Sequence, residues 1–134
     1  MAKQKDPAAP GYKRGMLKLS GEMLGGKAAQ GIDVSAIKSF CQQVLDVSRH
    51  GVEVALVIGG GNIMRGGSAS QASGILNRAT ADYMGMLGTV INALALQDAL
   101  EGLGCETRVM SSIEAQAVCE PYIRRRAVAH LNKG

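Results

Sequence analysis

Residues 52–62 decide the fold of this chain and read Val-Glu-Val-Ala-Leu-Val-Ile-Gly-Gly-Gly-Asn. The run Val52–Ile58 is almost continuously apolar and rich in β-branched residues, which predicts a strand buried on both faces. The glycines Gly59–Gly61 follow it directly, and because they lack a Cβ they let backbone N–H groups approach a ligand closely. Ligands of open α/β sheets bind at the carboxyl ends of the strands. This end of the strand is therefore a candidate binding site.

A second strand followed by glycines lies closer to the N-terminus. Met16–Leu19 is predicted to be a short strand, and Ser20–Gly31 a loop that carries four glycines. Lys18 stands in this strand, and Arg65 comes shortly after the other glycine loop. Cationic side chains beside accessible backbone N–H groups suit anionic ligands, so the two units together predict a phosphate-binding site.

The remaining sequence predicts an alternating order of elements. Val34–Arg49 has its apolar residues on one helical face and Asp33 as an N-cap, which predicts a helix that Gly51 stops. Further along we predict a long helix, a third strand, a short helical piece and a last helix opened by Pro121; these are Ile75–Leu103, Glu106–Ser111, Ala115–Cys119 and Tyr122–Asn132. Gly85 and Gly88 interrupt the long helix, which indicates either close helix–sheet packing or room for a ligand or a neighbouring subunit.

The order β-α-β-α-β-α predicts an α/β fold with a mostly parallel sheet and helices on both faces, in three layers. A three-stranded sheet of such strands would leave long open edges. The sequence closes on Asn132-Lys133-Gly134, where a helix should lead into another strand, so we expect that more protein completes the sheet. Met1–Gly11 is polar and rich in Pro and Ala, and is predicted to be a flexible lead-in.

Composition narrows the function classes. The chain has 134 residues, the size of one domain, with a formal net charge of +4 and 3% aromatic residues. So few aromatics argue against a base-stacking nucleic-acid module. We interpret Arg124–Arg126 as a solvated helix face. The three cysteines are widely spaced without a metal-ligand pattern, which predicts free thiols and no protein-bound metal. No apolar run reaches the ~18 residues of a membrane span, so no membrane partner is expected.

Two familiar phosphate loops match the glycine clusters incompletely. Gly21–Ala28 has P-loop spacing, but Ala28 stands where a hydroxyl should hold Mg²⁺. The dinucleotide fingerprint that begins at Gly59 needs a third glycine where Met64 stands. Ordinary turn chemistry would explain one glycine cluster, but two clusters at strand ends weaken that interpretation.

A third interpretation accounts for more of the chain. Five motifs occur in order, namely Lys18-Leu19-Ser20-Gly21-Glu22, Gly59-Gly60-Gly61-Asn62, Arg65-Gly66, Asn77-Arg78 and Asp82-Tyr83-Met84-Gly85-Met86-Leu87. This set resembles the amino-acid kinase superfamily, and its later motifs resemble the bacterial uridylate (UMP) kinase branch. The similarity runs from about Tyr12 to the last residue. It implies an amino-acid-kinase-like fold, Rossmann-like in its layers, in which residues 12–134 form the N-terminal, UMP-binding part and the C-terminal ATP subdomain is missing.

The resemblance also implies roles for individual residues. The ATP side would be formed by Lys18, Leu19, Ser20, Gly21, Gly61 and Arg65, with Lys18 as the catalytic residue that neutralises charge on the moving phosphoryl group. The UMP side would be formed by Gly60 and by Asp82, whose carboxylate would accept hydrogen bonds from the ribose. The activator GTP would bind at Gly26, Lys27, Ala28, Ala29, Gln30 and Gly31. For Arg78, pairing with Asp82 at i, i+4 and contact with the UMP phosphate both stay open.

The implied reaction transfers the ATP γ-phosphate to UMP, giving ADP and UDP on the way to CTP, with Mg²⁺ bridging the phosphates. Positioning and charge stabilisation largely suffice for such a transfer, so no general base is required. The resemblance further implies a cytoplasmic homohexamer, with Ile75–Leu103 as a candidate interface. Because half of the family's site is missing, we expect negligible activity from this chain alone. The alternatives are a non-catalytic nucleotide-sensing module and an RNA-binding module, the second disfavoured by the scarcity of aromatics.

Overall fold

The computed structural model describes residues 11–64 and 74–134. The elements of these two segments, in chain order, are β1 (Arg14–Leu19), a 3-10 helical segment (Gly21–Ala28), α1 (Val34–Arg49), β2 (Glu53–Ile58), α2 (Arg78–Gly102), β3 (Met110–Ser111), β4 (Glu120–Pro121) and α3 (Arg124–Lys133). Residues 1–10 of the predicted lead-in lie outside the described residues, and so does Arg65.

The two strands that carry the glycine loops pair with each other in parallel. Their register runs from Arg14 opposite Glu53 to Leu19 opposite Ile58, and α1 makes the crossover between them. Parallel strands need such a crossover, because a tight hairpin cannot connect them. Gly59 N–H donates to Leu19 O at 2.9 Å and extends the ladder by one step. Both loops therefore leave the sheet at the same edge, as the sequence predicted.

Helix α1 has the predicted boundaries, Val34–Arg49. It begins where Asp33 Oδ1 accepts a hydrogen bond from Ala36 N–H at 2.8 Å, which satisfies one of the free donors of the first turn. Two residues after its last residue, Gly51 has a φ of +83° and turns the chain away from the helix. The start and stop signals of this helix are local, and the sequence carries all of them.

The core lies between the sheet, α1 and α2. Its buried members come from the 3-10 segment and the two helices, and they are Leu24, Ile37, Cys41, Val44, Leu96 and Leu100. Val54, Leu56 and Ile58 of β2 pack against this cluster. Alternate residues of a strand point to one face, so α1 and α2 cover the same face of the sheet. Burial in this cluster raises the pKa of the Cys41 thiol, and nearby Cys105 adds to the shift.

The third helix lies toward the opposite face of the sheet. Arg14 pairs with Glu53, whose side chain points away from the Val54 face, and Arg14 Nη2 donates to Asn132 Oδ1 of α3 at 2.7 Å. The predicted α/β architecture with helices on both faces is thus confirmed. The prediction that β2 is buried on both faces is wrong, because Val57 on this second face is 45% exposed. A single ten-residue helix in the described part reaches this side of the sheet.

The C-terminal third differs from the prediction. A single three-stranded sheet was expected, but the described residues contain two parallel pairs, β1–β2 and β3–β4. The third strand shrinks from Glu106–Ser111 to Met110–Ser111, and Ala115–Cys119 forms one hydrogen-bonded turn instead of a helix. Pro121 belongs to β4, so the last helix begins at Arg124 and not at Tyr122. A proline has no N–H to donate, which a short strand with few ladder bonds tolerates.

A contact between His130 and Glu120 joins α3 to β4 and makes a testable contribution to stability. The hydrogen bond from His130 Nε2 to Glu120, 3.0 Å long, lowers the pKa of this carboxyl below its ordinary 4.5, and the charges of Arg126 and Arg108 add to the effect. A carboxyl with a lowered pKa stabilises the fold above its unfolded pKa, and this contribution is lost as pH falls through the folded pKa. We therefore expect Glu120→Gln to lower the free energy of unfolding more at about pH 5 than at about pH 3.

Urea denaturation at both pH values measures this difference. The matched control is Glu114→Gln, an exposed glutamate on the preceding connection. A gap between wild type and Glu120→Gln that stays constant across the acid range would contradict the assignment.

Candidate functional site

The two glycine loops touch at the carboxyl end of the sheet. A Cβ placed on Gly21 would lie 2.5 Å from Asn62 Oδ1 and 2.6 Å from Gly59 O. No real Cβ makes contacts that short. Only glycine therefore fits where the loop after β1 (the β1 loop, residues 20–33) crosses the loop after β2 (the β2 loop, residues 59–64). The structure therefore brings together the loop expected to contact ATP and the loop expected to contact both nucleotides.

The β2 loop rests directly on the backbone of α2. A Cβ on Gly60 would lie 2.4 Å from Gly85 O and 2.9 Å from Thr89 N. A Cβ on Gly88 would meet Ile63 Cβ at 3.1 Å and Gly60 O at 3.3 Å. The glycines inside the long helix do pack closely, but against this loop and not against the strands of the sheet, and they let the loop approach the helix axis. This contact fixes where the Gly60 backbone lies.

Asp82 stands on the same side of α2 as the glycine loop. It precedes Gly85 by three residues and Thr89 by seven, and positions with this spacing share one helix face. Its carboxylate accepts from Arg78 Nε at 3.0 Å and 3.1 Å through its two oxygens. The pair is exposed, so a ligand can reach it, and the structure realises the i, i+4 pairing that was one of the two options for Arg78.

Lys18, Ser20 and Gly61 belong to the ends of the two strands and to the loops that follow them. Lys18 is exposed near the end of β1, opposite Val57, and no carboxylate of segments 11–64 and 74–134 forms an ion pair with it. Ser20 is exposed beside the buried Gly21. Leu19 is buried, so only its backbone is available to a ligand. The arrangement offers one cation and several backbone groups at one edge of the sheet.

The segment expected to bind GTP is more ordered than a plain loop. Residues Gly21–Ala28 form 3-10 turns with a kink at Gly26, whose φ is +61°. Asp33 N–H donates to Leu24 O at 2.8 Å, and Gly31 N–H donates to Asn62 O at 2.8 Å. The first bond closes the base of the segment, and the second ties its C-terminal end to the β2 loop.

Two residues that the sequence interpretation left without a role connect these parts. Asn62 and Asn92 are the buried polar side chains of the described residues, 4% and 0% exposed, and their amides are hydrogen-bonded to each other. The available signal was Asn92 itself, an amide between apolar residues in the middle of a long helix. Such a position is costly unless the amide has partners, so it indicates a polar contact inside the fold.

Two further observations concern metals and membranes. Among residues 11–64 and 74–134, no three His, Cys, Asp or Glu side chains form a group that could hold a metal ion. No helix within the same segments is both long and apolar enough to cross a bilayer.

Comparison with known proteins gives this arrangement a context. Residues 13–133 match the amino acid kinase family. The chain is similar to the crystal structure of UMP kinase from Bacillus anthracis, with 43% identity and a TM-score of 0.83 over 91% of this chain and 50% of that one. It is also similar to UMP kinase from Ureaplasma parvum, with 32% identity and a TM-score of 0.81 over 93% of this chain and 52% of that one. The chain thus spans about half the length of both structures, and it belongs to the amino acid kinase family.

Proposed function

We propose that this chain supplies the UMP-binding half of a nucleoside monophosphate kinase that transfers the ATP γ-phosphate to UMP. The observation that carries the proposal is the contact between the Gly60 loop and the α2 face that bears Asp82. Backbone N–H groups and a carboxylate then stand on neighbouring surfaces, suited to the phosphate and the ribose of one nucleotide. The likeness to two UMP kinases supports UMP as that nucleotide.

On the UMP side, each expected residue has a chemical task. A glycine backbone can approach a phosphate more closely than any residue with a side chain, which suits Gly60. A carboxylate has about four acceptor sites, so Asp82 can keep Arg78 and still accept hydrogen bonds from ribose hydroxyls. Arg78 would then hold the carboxylate in place for the sugar.

On the ATP side, Lys18, Ser20, Gly21 and Gly61 would contact the phosphates, together with the backbone of Leu19 and with Arg65. A preorganised cation beside the transferred group stabilises the charge of the transition state, which is the main catalytic demand of phosphoryl transfer. The described residues contain no carboxylate cluster for Mg²⁺. We propose that Mg²⁺ arrives bound to the ATP phosphates, and the roles of the chain's own residues do not depend on it.

The proposal extends to assembly and regulation. Tyr83, Leu87 and Ile91 are exposed apolar side chains at four-residue spacing on α2, which supports this helix as a subunit interface of a homohexamer. GTP would act at residues 26–31, and the enzyme would serve pyrimidine nucleotide synthesis in the cytoplasm.

Binding of UMP to the 134-residue chain tests the proposal. Titration of the ¹⁵N-labelled protein should shift the backbone amides of the Gly59–Gly61 loop. Asp82→Asn should weaken UMP binding at least about tenfold, because the charge that attracts the ribose hydroxyls is lost. The same change should alter the free energy of unfolding by no more than about 0.5 kcal/mol, since the Arg78 pair is exposed.

Asp98→Asn, an exposed aspartate on the same helix, is the matched control and should bind UMP like the wild type. Equal affinity of wild type and Asp82→Asn would contradict the UMP assignment. A coupled ADP-release assay with ATP and UMP should detect negligible turnover from this chain alone. Normal turnover would contradict the proposal that the chain supplies only the UMP-binding half of the kinase. RNA binding that weakens steeply with salt, in place of UMP binding, would favour the RNA-binding alternative.

A further inference from the structure

A reciprocal pair of buried amides lies beneath the Gly60 loop. Asn62 Nδ2 donates to Asn92 Oδ1 at 3.0 Å, and Asn92 Nδ2 donates back to Asn62 Oδ1 at 2.6 Å. Each amide sends its second N–H to a backbone carbonyl, Asn62 to Gly31 O at 2.7 Å and Asn92 to Gly59 O at 2.8 Å. All four amide hydrogens are therefore used, and the pair joins α2 to both loops.

The orientation of the two side chains is determined by these partners. If the Asn92 amide were turned over, its Oδ1 would face Gly59 O, and two acceptors would repel each other. The same holds for Asn62, whose Oδ1 would then face Gly31 O. Buried polar atoms without partners are expensive, so only one arrangement of the pair is stable. Among the described residues, no buried side-chain nitrogen or oxygen lacks a hydrogen-bond partner.

The bond from Asn92 controls the direction of a backbone N–H that the proposed function uses. Gly59 C=O and Gly60 N–H belong to one planar trans peptide, so they point in opposite directions. Because Asn92 holds Gly59 O toward α2, the Gly60 N–H must point away from Asn92. A peptide between two glycines rotates more freely than any other, so without this anchor its direction would not be fixed.

The next peptide is held in a similar way. Gly60 O accepts from Ile63 N–H and from Met64 N–H, both at 3.0 Å. The Gly61 N–H, which shares a peptide plane with Gly60 O, is therefore directed away from this turn. Asn62 lies inside this turn and its side chain binds Asn92, so one amide pair stabilises both peptide planes.

We propose that Asn92, acting with Asn62, is a positioning residue that directs the Gly60 N–H toward the phosphate of the bound nucleotide. The inference rests on the proposed function for the identity of that nucleotide. Asn92 itself does not touch the ligand; it acts through the Gly59–Gly60 peptide. Loss of its donor should lower nucleotide affinity more than the accompanying loss of stability explains.

Two substitutions and one control test this. Asn92→Leu keeps the branched shape of the side chain but removes both donors and the acceptor, and Asn92→Ser keeps one smaller donor in case the leucine variant fails to fold. Leu100→Ala is the control, because Leu100 is a buried residue of the same helix, two turns further on, that belongs to the core cluster. UMP affinity should fall at least about tenfold in both Asn92 variants and stay within about twofold of wild type in Leu100→Ala.

Amide hydrogen exchange without nucleotide independently tests whether the Asn62–Asn92 pair holds the loop. Gly31 N–H, which donates to Asn62 O, should exchange at least about tenfold faster in the Asn92 variants than in Leu100→Ala at matched global stability. Equal exchange rates, or an affinity loss that follows stability in all three variants, would overturn the proposal. If wild type does not respond to UMP, the proposed function is wrong, and the exchange rates alone decide whether Asn92 holds the loop.

Discussion

Replacing Gly60 with alanine is expected to destabilise the domain by about 3 kcal/mol and to abolish UMP binding, because overpacking a tight contact costs this much when the neighbours cannot move aside. The new methyl group would lie 2.4 Å from Gly85 O and 2.9 Å from Thr89 N. Both are backbone atoms in the middle of a 25-residue helix, so no rotamer change relieves the clash. The loop would have to lift off α2, and its N–H groups would move with it.

Urea denaturation and UMP titration of the 134-residue chain measure the two effects. Gly102→Ala is the matched control, since a Cβ there would meet no atom within 4 Å. It sits in the last turn of the same helix and should leave stability unchanged or raise it by up to ~1 kcal/mol. A Gly60→Ala protein as stable as the control would show that the loop does not pack on α2 as described.

Replacing Leu24 with alanine should lower the free energy of unfolding by about 2–5 kcal/mol, the range for truncation of a buried leucine. Leu24 is 1% exposed and belongs to the core cluster with Ile37 and Leu96. It is the residue by which the 3-10 segment is anchored to both helices. Its loss should therefore also loosen residues 26–31, which amide hydrogen exchange would detect as faster exchange at Ala29 and Gly31.

Met23→Ala provides the comparison within the same segment. Met23 is the immediate neighbour of Leu24 but is 58% exposed, so its truncation should change stability by no more than about 0.5 kcal/mol. Similar losses for the two substitutions would mean that the segment is not held by a buried anchor. The pair of variants thus shows whether stability depends on the buried position of Leu24 or on any apolar side chain of the segment.

The elements that sequence could predict are those defined by their own residues. Helix α1 was bounded correctly because the Asp33 cap, the apolar stripe and Gly51 all lie within one stretch. The long helix was found within three residues at its N-terminus, where Asn77 Oδ1 accepts from Ala79 N–H, and within one at its C-terminus. The parallel β1–β2 unit followed from the order of the elements.

The elements that sequence missed depend on distant partners. Proline favours the first position of a helix, which predicts a helix start at Pro121, but its place beside Ser111 in β4 is set by pairing across ten residues. Residues 106–109 have strand composition yet lie outside β3, since a strand also needs a neighbour to bond. The open face of β2 likewise depends on what covers it and not on its own apolar pattern.

The candidate site divides in the same way. The glycine positions predicted both loops, because a close approach of two backbones requires a residue without a Cβ. The partner of Asn92 could not be predicted, because Asn62 is 30 residues away and only the fold brings the two amides together. The placement of Lys18, Gly60 and Asp82 is now described, while their contacts with nucleotides stay predictions.

The parallel pairing of β1 with β2 has a consequence for how the protein is made. A nascent chain cannot close this sheet as a hairpin; β1 must wait until α1 and then β2 have left the ribosome. Even then the glycine loop lacks its anchor, since Asn92 is synthesised 30 residues after Asn62. The glycine loop therefore cannot take its final shape before the middle of α2 has been synthesised, although its own residues emerge 30 residues earlier.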